Sequence, residues 1–336
     1  MNSNLCLSTF SSSPPLCAQD PIVWIGAASF EDRCQGSLQV LAKQSARISQ
    51  GIVLDYPTRI QPEREGELKR SQNREAILGH VGQDSQLRRI PSYRFGAFLG
   101  ILADLHAAHR KAGGEVQYVF DITCFTKIHA LALAYWLATT HELPRVLIAY
   151  SRPHDYGSPI RKVWDKGAWV EVVVAPFDIE PEPLATGVAG IALLGHEGDR
   201  LRLALHEVPL DEGLVLLVES EDPRLDLVAE TQNRRLLDDI SSRSQDLGPL
   251  SLTRVPLWDM ARLQKIVTET SDRARANGKR LVLYPFGPKP LIFGVSIFAL
   301  SSYLFGTWYT YPIPRTYDLD YTVGVGTTHW AALTKC

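Results

Sequence analysis

The feature that most constrains this chain is that it is written twice. Residues 116–156 read VQYVFDITCFTKIHALALAYWLATTHELPRVLIAYSRPHDY, and residues 279–317 read KRLVLYPFGPKPLIFGVSIFALSSYLFGTWYTYPIPRTY. Each has an apolar strand, a short turn ending in Lys127 or Lys289, an apolar helix, and a second strand. Each closes on a Tyr-x-x-Pro-x-x-Tyr corner, Tyr150 to Tyr156 or Tyr311 to Tyr317. Upstream of each turn lies an amphipathic helix introduced by an apolar-Pro pair. Phe95, Phe98, Leu99, Leu102 and Leu105 recur at helical spacing in the first copy, and Leu257, Met260, Leu263 and Ile266 in the second. Gly113-Gly114 and Gly278 supply the stops. Further upstream, GIVLDYPTR (51–59) pairs with GLVLLVESEDPR (213–224), and PIVWIGAASFEDR (21–33) with GIALLGHEGDR (190–200).

Short apolar strands alternating with helices are the signature of parallel βαβ units. The expected fold is therefore α/β: two tandem Rossmann-like pseudo-repeats, each a parallel sheet with helices on both faces. The expected boundaries are a disordered lead at 1–20, unit one at 21–178, a proline-rich linker at 179–187 and unit two at 188–336. A charged helix and loop at 60–90 reads as an insertion without the same form in the second copy, either a solvated face or a partner contact.

Composition excludes some classes. The net charge of −2 over 336 residues leaves no basic excess, which argues against direct nucleic-acid binding and against an anionic membrane surface. Between Lys289 and Arg315 there is no charge, a run long enough to span a bilayer. The repeat aligns it with an ordinary helix-plus-strand pair, so no membrane span is expected. The N-terminus has neither a basic region nor a continuous apolar core, and the five cysteines show neither a CxxC pair nor metal-ligand spacing. A reducing cytoplasm is the expected location, with no cofactor and no metal.

Ligands of open α/β sheets sit outside the carboxyl ends of the strands, where a helix N-terminus favours anions. In DITCFTK (121–127), Asp121 can accept from a ribose hydroxyl or base amine, Thr123 or Thr126 can cap the helix or donate to phosphate, and Lys127 can supply a point charge. The plainer alternative makes Thr126 the N-cap and Asp121 a loop anchor. After the opening strand, Ser29 can bond an anion and Arg33 can fork onto phosphate. At the tyrosine-proline corners, Tyr150, Tyr156, Tyr311 and Tyr317 could stack on a base, with Arg152, His154 and Arg315 near phosphates. Tyrosines at strand ends also anchor loops.

A strand, then D-(I/L)-T-(two residues)-T-K, then a helix, resembles the nucleotide-binding turn of CRISPR-associated Rossmann-fold (CARF) domains, which sense cyclic oligoadenylates. The related SAVED domains of bacterial antiphage systems look like two such units in one chain. The resemblance covers the DITCFTK turn and the general architecture. It implies a nucleotide-type small molecule, with cyclic oligonucleotides among the candidates, sensed on behalf of a separate effector protein in prokaryotic antiviral defence, with a homo-oligomer left open. The family turn usually carries glycines where Cys124 and Phe125 stand. The second copy keeps only Lys289, so a symmetric ligand would be held asymmetrically, or one half is scaffold.

Enzyme signals are sparse. There is no G-x-S-x-G, H-E-x-x-H, Walker A loop or GxGxxG. Cys124 in a helix-initiating turn could be a nucleophile or a small buried residue. His129 lies in an apolar helix, as core histidines do. Arg200 and His206 match the R-x4-6-H spacing of HEPN ribonucleases, yet RLRLALHEV alternates like a strand. Glu219, Glu221 and Asp222 read as an acidic loop. Two rival functions stand beside the sensor: an enzyme cleaving a nucleotide or phosphodiester on the same scaffold, with Thr123, Thr126 and Lys127 stabilising charge, and a structural subunit with no small-molecule ligand.

Overall fold

The structure is a computed structural model and describes residues 5–17, 20–57, 64–82, 84–113, 115–143, 145–156, 169–175, 187–195, 198–242, 250–304, 306–314 and 322–335. In chain order, β1 (Leu5–Leu7), β2 (Ile22–Ala28), a 3-10 turn (Asp32–Gln35), α1 (Gly36–Lys43), β3 (Ile48–Asp55), α2 (Arg64–Val81), β4 (Ser85–Arg89), α3 (Phe95–Ala112), β5 (Gln117–Asp121), α4 (Lys127–Thr139), β6 (Arg145–Ser151) and β7 (Asp155–Tyr156) come first. Then follow β8 (Trp169–Ala175), β9 (Val188–Leu194), α5 (Gly198–Glu207), β10 (Glu212–Glu219), α6 (Pro223–Ser241), β11 (Leu250–Pro256), α7 (Met260–Ala276), β12 (Arg280–Pro285), α8 (Lys289–Tyr303), β13 (Thr307–Pro314), β14 (Thr322–Val323) and β15 (Thr328–Lys335).

Two sheets carry the fold. One has the order β1-β15-β6-β5-β2-β3-β4 and the other β11-β10-β9-β12-β13-β8. In each, five parallel strands follow the order third, second, first, fourth, fifth, and an antiparallel strand lies beside the fifth. The repeat seen in the sequence is thus a repeat of topology, and the fold is Rossmann-like. The central strands are apolar throughout because both faces are covered: all of β2 and β5 is buried. Helices α4 and α8 are buried almost all round, which explains why they read as uniformly apolar. Gly113 and Gly278, at φ 69° and 64°, supply the left-handed residues expected after α3 and α7. Among the described residues no helix is long and apolar enough to cross a membrane.

The boundaries differ from those expected. One compact unit comprises Cys6–Val163 with Thr316–Cys336, and the other Met1–Leu5 with Trp164–Arg315. The antiparallel strands are the reason. β15, last in the chain, pairs with β6, whereas β8, which follows the first repeat, pairs with β13. Each unit's sixth strand is therefore supplied by the segment that follows the other unit's fifth strand. The lead expected to be disordered contributes β1, whose Leu5 and Leu7 are buried, and Phe10 is buried beyond it. Cys6 is disulfide-bonded, whereas Cys17, Cys34 and Cys124 are free thiols, so cysteine usage points to neither compartment.

The expected insertion at 60–90 is a regular part of the repeat. Its helix, α2, joins the second and third strands as α6 does in the other unit. Most of the expected linker lies outside the described residues.

Candidate functional site

The first strand of each unit lies between the second and the fourth, so the topological switch point falls between β2 and β5 in one unit and between β9 and β12 in the other. The DITCFTK turn leaves the carboxyl end of β5 at that point. Asp121 is 2% exposed. One carboxylate oxygen accepts from the Thr123 backbone N–H at 3.0 Å, and the other from the Ser37 hydroxyl, which in turn accepts from the Trp24 indole at 3.0 Å. Burial pushes the Asp121 carboxyl above the usual carboxylate range, against the pull of these donors. Thr123 is fully buried and accepts from the Ser151 N–H at 2.8 Å. Thr126 caps α4, accepting from the His129 N–H at 3.3 Å, and donates to the Ser92 carbonyl at 2.7 Å. These three side chains build the turn, with their polar atoms directed inward. Lys127 is half-buried and is the first residue of α4.

The turn after β2 is also internally held. Ser29 Oγ accepts from the Glu31 N–H at 3.2 Å. Arg33, 5% exposed, donates to Glu31 at 2.7 Å and to the Tyr150 hydroxyl at 3.2 Å, and lies 5.9 Å from that ring. Glu31 also accepts from the Thr322 hydroxyl at 2.6 Å, so the C-terminal segment walls this edge. Arg33 is therefore an internal ion pair, and Tyr150, 6% exposed, is its partner and not an open stacking platform. Arg152 is half-buried after β6, and its N–H donates to the Thr327 carbonyl at 3.0 Å. His154 is exposed. The Tyr156 side chain, Arg315 and Tyr317 lie outside the described residues.

In the second unit Lys289 occupies the position of Lys127, the first residue of the helix after the fourth strand. Here the two switch-point turns meet: a Cβ on Gly195 would stand 3.2 Å from the Phe286 carbonyl oxygen. Tyr311 is 3% exposed, with its ring 6.0 Å from that of Phe286. The structure brings together only part of the expected set at each edge.

Two features were missed by the sequence reading. Asn73 on α2 is 5% exposed; its amide donates to the Ser29 carbonyl at 2.9 Å and its oxygen accepts from Gln35 at 2.7 Å. Asn233 on α6 is 1% exposed and donates to the Gly195 carbonyl at 2.6 Å. Both clamp the helix after the second strand onto the turn after the first. A signal for them exists in the sequence: SQNR at 71–74 and TQNR at 231–234. The second feature is a charged cluster at the end of β3. Asp55, 4% exposed, lies 3.7 Å from Arg70 and 3.4 Å from Arg74, and Arg70 reaches Glu67 at 2.7 Å.

Cys124 is 9% exposed, a small buried residue at the start of the turn's second half. His129 is fully buried; Nε2 donates to the Arg94 carbonyl at 3.3 Å and Nδ1 accepts from the Tyr56 hydroxyl at 2.9 Å. Burial lowers its pKa to about 3, so the ring is neutral. Arg200 and His206 lie on a helix, α5, and not on the strand expected. Six residues apart they fall about 240° around the axis, on different faces. Asp222 caps α6, accepting from the Arg224 N–H at 3.0 Å. Among the described residues no group of three or more His, Cys, Asp or Glu could hold a metal ion.

No family model matches the chain, and no curated protein does. Among solved structures, the chain is similar to that of a Type III CRISPR defence DNA nuclease activated by cyclic oligoadenylate, at 9% identity and a TM-score of 0.51. The match covers 86% of this chain and 65% of that one. Matches to Phytolacca americana UGT2 complexed with UDP-2fluoro-glucose and pterostilbene (12% identity, 82% and 83% of the two chains) and to the adenylation, ketoreductase and pseudo Asub multidomain structure of a keto acid-selecting NRPS module (10% identity, 90% and 34%) have TM-scores of 0.17 and 0.20 and bear on nothing here. At 9% identity the first likeness is one of fold. The chain is Rossmann-like α/β, and it shares that architecture with a protein of CRISPR defence.

Proposed function

We propose that this chain is a sensor that binds a nucleotide-type ligand at the start of α4 and acts through a separate effector protein in antiviral defence. One observation carries the reading. In both units a lysine is the first residue of the helix that leaves the fourth strand at the switch point. A cation at a helix N-terminus opposes the helix dipole at a cost of about 0.3–1 kcal/mol. Placing one there twice is explained by an anion that both the lysine and the first-turn N–H groups contact. The cyclic oligoadenylate that activates the structural neighbour is such an anion, and it names the ligand class to try first.

The hydrogen bonds of Asp121, Thr123 and Thr126 narrow the recognising groups. These residues shape the turn, and Lys127 with the helix start meets the phosphate. The closed turns of the second unit leave it the weaker of the two binding edges. Equilibrium binding of labelled cyclic oligoadenylates and linear controls tests this. Lys127→Ala should weaken binding at least tenfold, about 1.4 kcal/mol, Lys289→Ala less, and bound ligand should be recovered intact. Unchanged affinity in Lys127→Ala would remove the site; ligand recovered cleaved would make the chain an enzyme.

A further inference from the structure

A cavity of about 300 Å³ lies in the first unit along the flank of α1, and no residue of the DITCFTK turn lines it. Gly36, Gln39, Val40 and Lys43 recur at helical spacing and present one face of α1 to it. The chain from Val325 to Thr328, which leads into β15, forms the opposite wall. A Cβ on Gly36 would collide with the Ser151 hydroxyl and stand 3.0 Å from Thr328 Oγ1, so a bare backbone lets α1 start against the sheet. The polar groups here are not used up by the fold. Among the described residues the Gln39 and Lys43 side chains make no hydrogen bond or ion pair. At the inner end the Ser151 and Thr328 hydroxyls bond each other at 2.9 Å, with Ser151 fully buried and Thr328 5% exposed. Two hydroxyls carry two protons, and their mutual bond uses one. If Thr328 donates, the Ser151 proton is sealed in without an acceptor, the costly arrangement. Ser151 therefore donates, and the Thr328 proton turns to the cavity that Thr328 lines.

We propose that this cavity binds a small, elongated organic acid. Its carboxylate meets Lys43 at the mouth, Gln39 bonds its middle, and a hydroxyl or carbonyl oxygen at its far end accepts from Thr328. The length follows from the helix, whose rise of 1.5 Å per residue separates Gly36 from Lys43 by roughly 10 Å. The charge follows from the lining: Lys43 is the one ionised side chain among the described lining residues, and none is acidic. A single lysine without an arginine suits a singly charged carboxylate, whereas a phosphate dianion is commonly met by a guanidinium fork. Val40 and Val325 supply an apolar flank for the carbon chain. The volume sits at the lower bound of ligand cavities, roughly 300–1,000 Å³. The cavity makes no use of Lys127, so the proposal stands whether or not a nucleotide binds at α4.

The probe is gluconate, and its control is sorbitol, the same hydroxylated chain with an alcohol in place of the carboxylate. Both are titrated into the isotope-labelled full-length chain and followed by NMR. Gluconate should shift the Gln39 side-chain amide and the backbone amides of Val325 to Thr328, and sorbitol should bind about tenfold more weakly or worse. Lys43→Met, at an exposed position, should cost gluconate about tenfold in affinity. Thr328→Val should weaken gluconate as well, and Lys43→Met decides the matter alone if that variant does not fold. No shift with gluconate, shifts confined to other residues, equal binding of sorbitol, or unchanged affinity in Lys43→Met would each overturn the proposal.

Discussion

His129 shows how single side chains hold the α4 turn. Its ring ties Tyr56, after β3, to Arg94, before α3. Burial keeps it neutral down to about pH 3, whereas an unfolded histidine takes up its proton near 6.5. Between those values the unfolded state binds the extra proton, so this residue's contribution to stability rises with pH across the window and is complete above it. Each pH unit within the window is worth about 1.4 kcal/mol. Asp121 works in the opposite sense, because its raised pKa makes the folded state the better proton holder. A difference between wild type and His129→Gln isolates the first effect: urea midpoints from pH 4 to 7 should climb more steeply for the wild type. Equal slopes would show that His129 is not the titrating group. Asn73→Ala leaves the Gln35 amide without its Asn73 partner and the Ser29 carbonyl with only the long Cys34 thiol bond, and should cost roughly 1–3 kcal/mol. Asn233→Ala removes a single bond from an oxygen-orphaned side chain and should cost less, by the same unfolding measurement.

At the scale of elements, legibility followed hydropathy. α4 and α8 were readable because their buried surfaces are apolar, and so were the switch-point turns between a strand and such a helix. α2 was misread as a solvated insertion because its buried stripe includes Arg70 and Asn73 beside Ile77 and Val81. Polar side chains facing inward carry the same letters as polar side chains facing water; only the partners, Asp55 and the Ser29 carbonyl, distinguish them. α5 was misread because RLRLALHEV alternates locally while the helix period needs a longer window. Arg70→Met strips a buried cation from Asp55 and Glu67 while Arg74 still reaches Asp55, so the loss should sit near the low end of the usual range, about 3 kcal/mol. An Arg70→Met chain as stable in urea as the wild type would return α2 to the status of a surface helix.

For the whole molecule, the sequence repeat conveyed topology and concealed ownership. Five of the strands in each unit follow one another locally, and their alternation with helices marks them as parallel βαβ units. The sixth strand of each is a long-range pairing, and nothing in the residues of β8 or β15 announces which sheet they join. That pairing places Trp330, fully buried, in the first unit, far in sequence from its neighbours. Trp330→Ala should therefore cost about 3–5 kcal/mol and expose the first unit to limited proteolysis before the second. The same segment sets Thr322 on Glu31, which brings the chain's end to the edge where a ligand is proposed to bind. The most direct test of that proposal is thermal unfolding of wild type and Lys127→Ala against cyclic and linear nucleotides. Ligand at a hundred times its Kd adds about 2.7 kcal/mol of stability. A ligand site at Lys127 predicts a raised midpoint with at least one nucleotide, abolished in Lys127→Ala; an equal rise in both proteins, or none in a well-folded wild type, would contradict it.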